Sequence, residues 1–221
     1  MNVAKEYAEE LREFRPIVYE GLEFYPLPVK HFALYQSAKA AMELMLSSLP
    51  LRFVRMTWIQ ALEAMEREAK EANGENPGYL LSVLALLDAA LKLDIRHNPN
   101  SMMILHDKNG AFGGVIVKQG TEAPTVLTAD KFDALRQILG AQNSYEIPDE
   151  NWNPELVRAQ QYLRSQNRSG GGGSLEDAVF ALAAATGNRA SDIWNWPIRE
   201  YLQMQSAVDR RLHFQICTAA E

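Results

Sequence analysis

The sequence predicts a mainly α protein: a helical bundle with a small β-hairpin or three-stranded insertion and a hinged C-terminal helical hairpin. Three observations carry this expectation. Apolar residues recur three and four positions apart through most of the 221 residues, the period of an amphipathic helix. One stretch, 101–128, replaces that period with β-rich runs around Asn109-Gly110, a strong short-range hairpin signal. Four successive glycines at 170–173 then separate the body from a last pair of helical segments.

Residues 3–14 alternate charged and apolar side chains at helical spacing and stop before Pro16. Pro26 and Pro28 force an extended approach to the next helix, in which Phe32, Tyr35, Ala38, Met42, Met45 and Leu46 share one stripe. Residues 57–72 ("TWIQALEAMEREAKEA") form another helix, ended by Asn73-Gly74. Residues 79–93 are apolar on most sides, as expected of a helix at the centre of a bundle. "SMMILHD" and "FGGVIVKQ" read as strands joined through Lys108-Asn109-Gly110, where a type I′ turn is expected, and "PTVLT" adds a third strand. In "TADKFDALRQILGAQN" the helical period returns, with Thr128 as cap and Phe132, Leu135, Ile138 and Leu139 on one face. Pro154 opens a further helix ahead of the glycines.

Glycines beside serines invite comparison with a phosphate-binding loop, which also needs a Lys to reach the phosphates and a Ser or Thr to hold the metal. No Lys follows the run here, and Glu176 and Asp177 would repel an anion. A flexible linker is the better reading. Ser174 then caps a helix over 175–186 with Asp177 as its capping-box partner, and Gly187 ends it. Residues 191–194 make a short turn, and Pro197 opens the final helix. Its Ile198, Tyr201, Leu202, Val208, Leu212 and Ile216 form a continuous seam, expected to pack on Val179, Phe180 and Leu182. The expected organisation is a body at 1–168 with its insertion at about 101–128, a linker at 169–174, and a C-terminal helical module at 175–221. So short a module has a marginal core, and should need the body or a partner for full stability.

Composition narrows the function. Hydrophobic residues make up 47% and charged residues 23%, ordinary values for a globular chain. The net charge of −6 argues against a nucleic-acid partner, which would meet a basic face. Cys217 is the only cysteine, so no internal disulfide forms and a reducing compartment is expected. No apolar run approaches the ~20 residues that span a bilayer, and the N-terminus lacks the apolar centre of a signal peptide. An acidic, soluble, intracellular protein is expected, with neither membrane nor nucleic-acid partner.

Candidate chemistry is sparse. His31, His97, His106 and His213 lie on separate elements, without the paired spacing of a zinc site. His213 and Cys217 are four apart, so one helix face carries both. A reactive thiolate, however, favours a helix N-terminus, and Cys217 sits at the opposite end. Glu66, Glu68 and Glu71 read as a solvated helix face, and Asp149-Glu150 as turn chemistry. "DKNG" at 107–110 lacks the remaining acidic positions of a calcium loop. No catalytic residue, cofactor or metal site is expected. "SDIWNWP" is more informative: Trp194 and Trp196, with Tyr201 beyond them, are the candidate partner-binding residues, since Trp and Tyr are enriched among binding hot spots.

The order of motifs adds to this. "FYPLPVKHFALYQSAKAAMELM", "DKFDALRQILGAQNSYEIPDENWNPELVRA" and "LEDAVFALAAATGNRASDIWNWPIREYLQMQSAVDRRLHFQI" together span most of residues 20–218. In this order the chain resembles small tail-morphogenesis proteins of tailed bacteriophages and prophages, similar to tail-assembly chaperones or tail accessory proteins. The resemblance implies a non-enzymatic assembly factor in the host bacterial cytoplasm, bound to the tape-measure protein or another tail component, with homo-oligomers compatible. Its motifs concern packing and carry over no catalytic residue. Two other readings stay open: a structural virion protein of the tail or baseplate, and a small hydrolase built on Cys217 and His213.

Overall fold

A computed structural model describes residues 3–44, 50–53, 55–74, 76–120, 123–144 and 174–219. The protein is mainly α with a β insertion. The expected helix at Pro154 and the glycine linker lie outside the described residues, apart from Ser174.

The N-terminal helix is shorter than its periodicity suggests. It divides into α1 (Val3–Glu6) and α2 (Ala8–Arg12) because Tyr7 leaves helical geometry at φ −115°, ψ 34°. A hairpin that the sequence reading did not anticipate follows, β1 (Ile17–Tyr19) paired antiparallel with β2 (Leu22–Phe24). Glu20 and Gly21 both take positive φ, 52° and 77°, the requirement of a two-residue type I′ turn.

Beyond the prolines, Val29–His31 form a 3₁₀ turn into α3 (Phe32–Met42), which buries Tyr35, Ala38 and Met42 as its stripe requires. Met45 and Leu46 lie outside the described residues. Thr57 is the extended N-cap of α4 (Trp58–Asn73), and Gly74 ends that helix in the left-handed region at φ 70°. The apolar segment becomes α5 (Tyr79–Leu91), with Val83, Leu84, Leu86, Leu87, Ala90 and Leu91 buried, although Leu81 faces solvent. Donors from two helices close the C-terminus of α3, whose last carbonyls have no partner within the helix. Trp58 Nε1 donates to the Ala41 carbonyl at 3.3 Å and Arg136 Nε to the Met42 carbonyl at 2.6 Å.

The insertion is a three-stranded antiparallel sheet in the order β3-β4-β5, from β3 (Met102–His106), β4 (Phe112–Val117) and β5 (Thr125–Thr128). Its first turn departs from expectation. Of Asn109 and Gly110 only Gly110 has positive φ, 78°. The Asp107 N–H reaches the Ala111 carbonyl at 2.8 Å, the Gly110 N–H reaches the Asp107 carbonyl at 3.0 Å, and Asp107 Oδ1 accepts from the Asn109 and Ala111 N–H groups. Three residues therefore cross between the paired ends, and a loop of that length closes with a type I turn followed by one left-handed residue. Asp107 stabilises that longer loop, which is why the type I′ expectation fails. Further on, Gly113 is an extra residue on β4, where the register shifts between Leu105 and His106. The Phe112 peptide, displaced from the ladder by the bulge, finds partners on α4, its N–H on Glu63 and its carbonyl on Gln60.

Thr128 caps the 3₁₀ turn that leads into α6 (Phe132–Gln142), and Phe132, Leu135, Ile138 and Leu139 are all buried as expected. The ring of Phe132 meets Phe112 edge-on at 5.2 Å, joining helix and sheet in one core. After Ser174 come α7 (Leu175–Thr186), α8 (Ala190–Ile193) and the 22-residue α9 (Ile198–Ala219). Gly187 ends α7 in the left-handed region at φ 74°.

Among its described side chains, the expected seam of α9 is buried only at its start. Ile198 joins the main core, while Leu212 is exposed, as is its expected partner Phe180 on α7. The reason is reach: beyond its first turns α9 has no described element to cover it.

Two glycine variants distinguish backbone freedom from close approach. A Cβ at Gly110 would meet nothing within 4 Å, so Gly110→Val should cost only the left-handed strain, about 1–2 kcal/mol. At Gly114, with φ 147°, a Cβ would lie 2.3 Å from the Leu127 carbonyl oxygen. Gly114→Ala should therefore lower the melting temperature more than Gly110→Val does, although it adds the smaller side chain.

Candidate interaction surface at the C-terminal helices

Ser174 and Asp177 form the expected capping box. The Asp177 N–H donates to Ser174 Oγ at 3.1 Å and the Ser174 N–H donates to Asp177 Oδ2 at 3.0 Å. The Ser174 hydroxyl, which donates to Asp177 Oδ2 at 2.9 Å, and then the Ser174 N–H hold the Asp177 carboxyl below its ordinary value. Val179 and Leu182 on α7 then meet Ile193, Tyr201 and Val29 in a small second core, with Trp194 and Trp196 partly buried against it.

Backbone bonds attach this core to the body. The Val29 N–H donates to the Trp196 carbonyl at 2.9 Å, the Lys30 N–H to the Trp194 carbonyl at 3.0 Å, and the Ile198 N–H to the Leu27 carbonyl at 2.7 Å. Pro28 and Pro197 face each other across this antiparallel bridge. Arg199 Nη1 adds a bond to the Ala141 carbonyl at 2.5 Å, at the C-terminal end of α6, where a cation is favoured.

The three candidate partner-binding residues therefore divide. Trp194 and Trp196 are both half-buried, and their carbonyls serve the attachment. Tyr201 is only 1% exposed, with its ring edge-on to Phe32 at 6.2 Å. Its place among the surface contacts is corrected: it lies on the first turn of α9, which faces the body. The exposed apolar residues sit elsewhere on these helices. Phe214 is 69% exposed and Leu212 50%, with Met204 and Phe180 also open to solvent. Phe214 lies two residues beyond Leu212 and so falls outside the seam. The legible sign was a large aromatic inside the polar run "RRLHFQ".

His213 and Cys217 do come together, Nε2 to Sγ at 3.7 Å, on the exposed part of α9. An open depression along the same helix is bordered by Leu202, Gln205, Asp209, His213 and Cys217. His97 pairs with Asp94 at 2.8 Å on the surface. Among the described residues no three His, Cys, Asp or Glu side chains gather as metal ligands would. No described helix is long and apolar enough to cross a membrane.

Two ionisable groups border the attachment. Burial raises the Glu200 carboxyl above its ordinary value. Burial first, and then the adjacent Lys30 charge, hold the His31 imidazole below its ordinary 6.5. The unfolded chain therefore takes up this proton more readily than the folded one. That contribution to stability is present above the unfolded value and is lost as pH falls through the folded one. The raised Glu200 carboxyl acts in the opposite sense, adding stability as pH falls, so the His31 contribution is read by difference. Between about pH 7.5 and about pH 5 the melting temperature of wild type should fall relative to that of His31→Gln.

Compared with family models, with curated proteins and with solved structures, the chain finds no match.

Proposed function

We propose that this protein is a non-enzymatic, chaperone-like assembly factor of a phage or prophage tail, holding a tail component such as the tape-measure protein through its C-terminal helix. The observation that carries the reading is the contrast along α9. Its first turn is bonded into the body, while Met204, Leu212 and Phe214 farther along expose large apolar surface. Single exposed apolar residues are ordinary on protein surfaces. Several along one anchored helix suit a partner that presents an apolar helical face of its own. The order of the sequence motifs supplies the phage context, and the host cytoplasm during assembly is the corresponding location.

Co-expression with the tape-measure protein of the same phage or prophage tests the proposal. Soluble yield of that partner should rise, and the two should co-purify. Replacing Leu212 and Phe214 together by Glu should abolish co-purification while changing stability by no more than about 0.5 kcal/mol, as for other exposed sites. Unchanged partner yield and no co-purification with the wild-type chain would reject the chaperone role. Mass spectrometry of purified particles separates the roles further, since a chaperone is missing from mature virions and a structural tail or baseplate protein is present.

A further inference from the structure

Among the described residues, the β insertion ends in an edge without the usual protection. Met102 pairs with Val117, Met103 with Ile116 and Ile104 with Val115, and the Lys118 N–H donates to the Ser101 carbonyl at 2.8 Å. Antiparallel ladders alternate hydrogen-bonded and non-hydrogen-bonded pairs. Ser101–Lys118 is a bonded pair, so Met103–Ile116 is the next. The N–H and C=O groups of Met102, Ile104 and His106 consequently point away from β4, and among the described residues they have no partner.

Natural edge strands are kept from pairing by charges, by proline or by a cover. β3 reads "MMILH", with no Asp, Glu, Lys, Arg or Pro. Its side chains add a second observation. Ile104 lies in one cross-strand row with Val115 and Leu127, both fully buried. Ile104 is nevertheless 45% exposed, because the sheet stops beside it.

We infer that β3 pairs antiparallel with β3 of a second copy of this chain about a two-fold axis at Ile104, joining two three-stranded sheets into one. Self-complementarity selects this occupant. In that register Ile104 faces Ile104, and Met102 faces His106 in both directions. All three outward-pointing residues then fall in bonded pairs, which exchange about six backbone hydrogen bonds. At the flanks Asp107 comes opposite Ser101 and Lys108 opposite Asn100, so no like charges meet. The half-exposed Ile104 is covered by its own counterpart. A closed isologous pair of this kind uses the same surface on both subunits, and its strand pairs involve no residue of α9, so it stands apart from the tail-assembly reading.

Sedimentation and light scattering of the full chain should give twice the 24.9 kDa chain mass at micromolar to millimolar loading. Ile104→Pro should return the monomer with its fold retained, because the N–H it removes is bonded to nothing within its own sheet. A second variant covers the case in which that substitution unfolds the insertion. In a Cys217→Ser background, Ile104→Cys should form an intermolecular disulfide on mild oxidation, since bonded antiparallel pairs bring Cα atoms to about 5.5 Å, within disulfide reach. Val126→Cys, on the opposite edge strand, should not. A wild-type chain that stays monomeric at the highest loading overturns the inference. So does a dimer that survives a folded Ile104→Pro, or an Ile104→Cys chain that cross-links no faster than Val126→Cys. A monomer that instead captures a peptide of a co-expressed partner along β3 would replace self-pairing by strand addition from that partner.

Discussion

The peptide groups of residues 24–30 are shared among three separate parts of the chain, and the arrangement of the helices follows from that sharing. Buried N–H and C=O groups must find partners. Pro26 and Pro28 have no N–H, so beyond Phe24 of β2 the donors of the stretch are Tyr25, Leu27, Val29 and Lys30. Each has its own acceptor: the Ala90 carbonyl on α5, Asn143 Oδ1 after α6, and the Trp196 and Trp194 carbonyls of the C-terminal helices. The Phe24 carbonyl takes a bond from Gln142 Nε2, and the Leu27 carbonyl one from Ile198. An extended segment with two prolines thereby acts as a strand whose neighbours are not strands, and it brings α5, α6 and α9 to one line.

Side-chain amides complete what the backbone cannot. Gln142 and Asn143 are almost fully buried. Asn143 also donates to the Leu139 carbonyl, so that amide is held at both its atoms, whereas Gln142 is held through Nε2 and its Oε1 has no partner among the described residues. Gln119 does similar work at the hairpin, accepting from the Glu23 N–H while donating to the Glu23 and Leu91 carbonyls. A buried donor or acceptor that loses its partner costs about 1–3 kcal/mol. Three amides so placed fix β2 and the extended stretch against the helices more tightly than apolar contact alone, which has no direction.

Among the described residues, this firm centre sets off two open surfaces. The far part of α9 carries apolar residues away from the body, and β3 presents an uncharged strand edge. One offers side chains and the other offers peptide groups. They suit different kinds of recognition, a helical partner in the first case and backbone pairing in the second.

Most of the helices were legible in the sequence because their signals are local. The apolar stripe of α3, the Thr57 and Gly74 limits of α4, the Ser174–Asp177 capping box and the Asn-Gly hairpin position all rest on residues within a few positions of one another. The missed β1–β2 hairpin had strands of only three residues each, too short for their alternation to stand out. The turn at Gly110 depended on Asp107, whose carboxylate fixed a longer loop than the dipeptide alone demands. What the sequence could not determine was which apolar residues stay exposed. Tyr201 and Leu212 belong to one seam by spacing, yet one is buried and the other half open. Periodicity defines a face, and only the reach of the neighbouring elements decides how much of that face is covered.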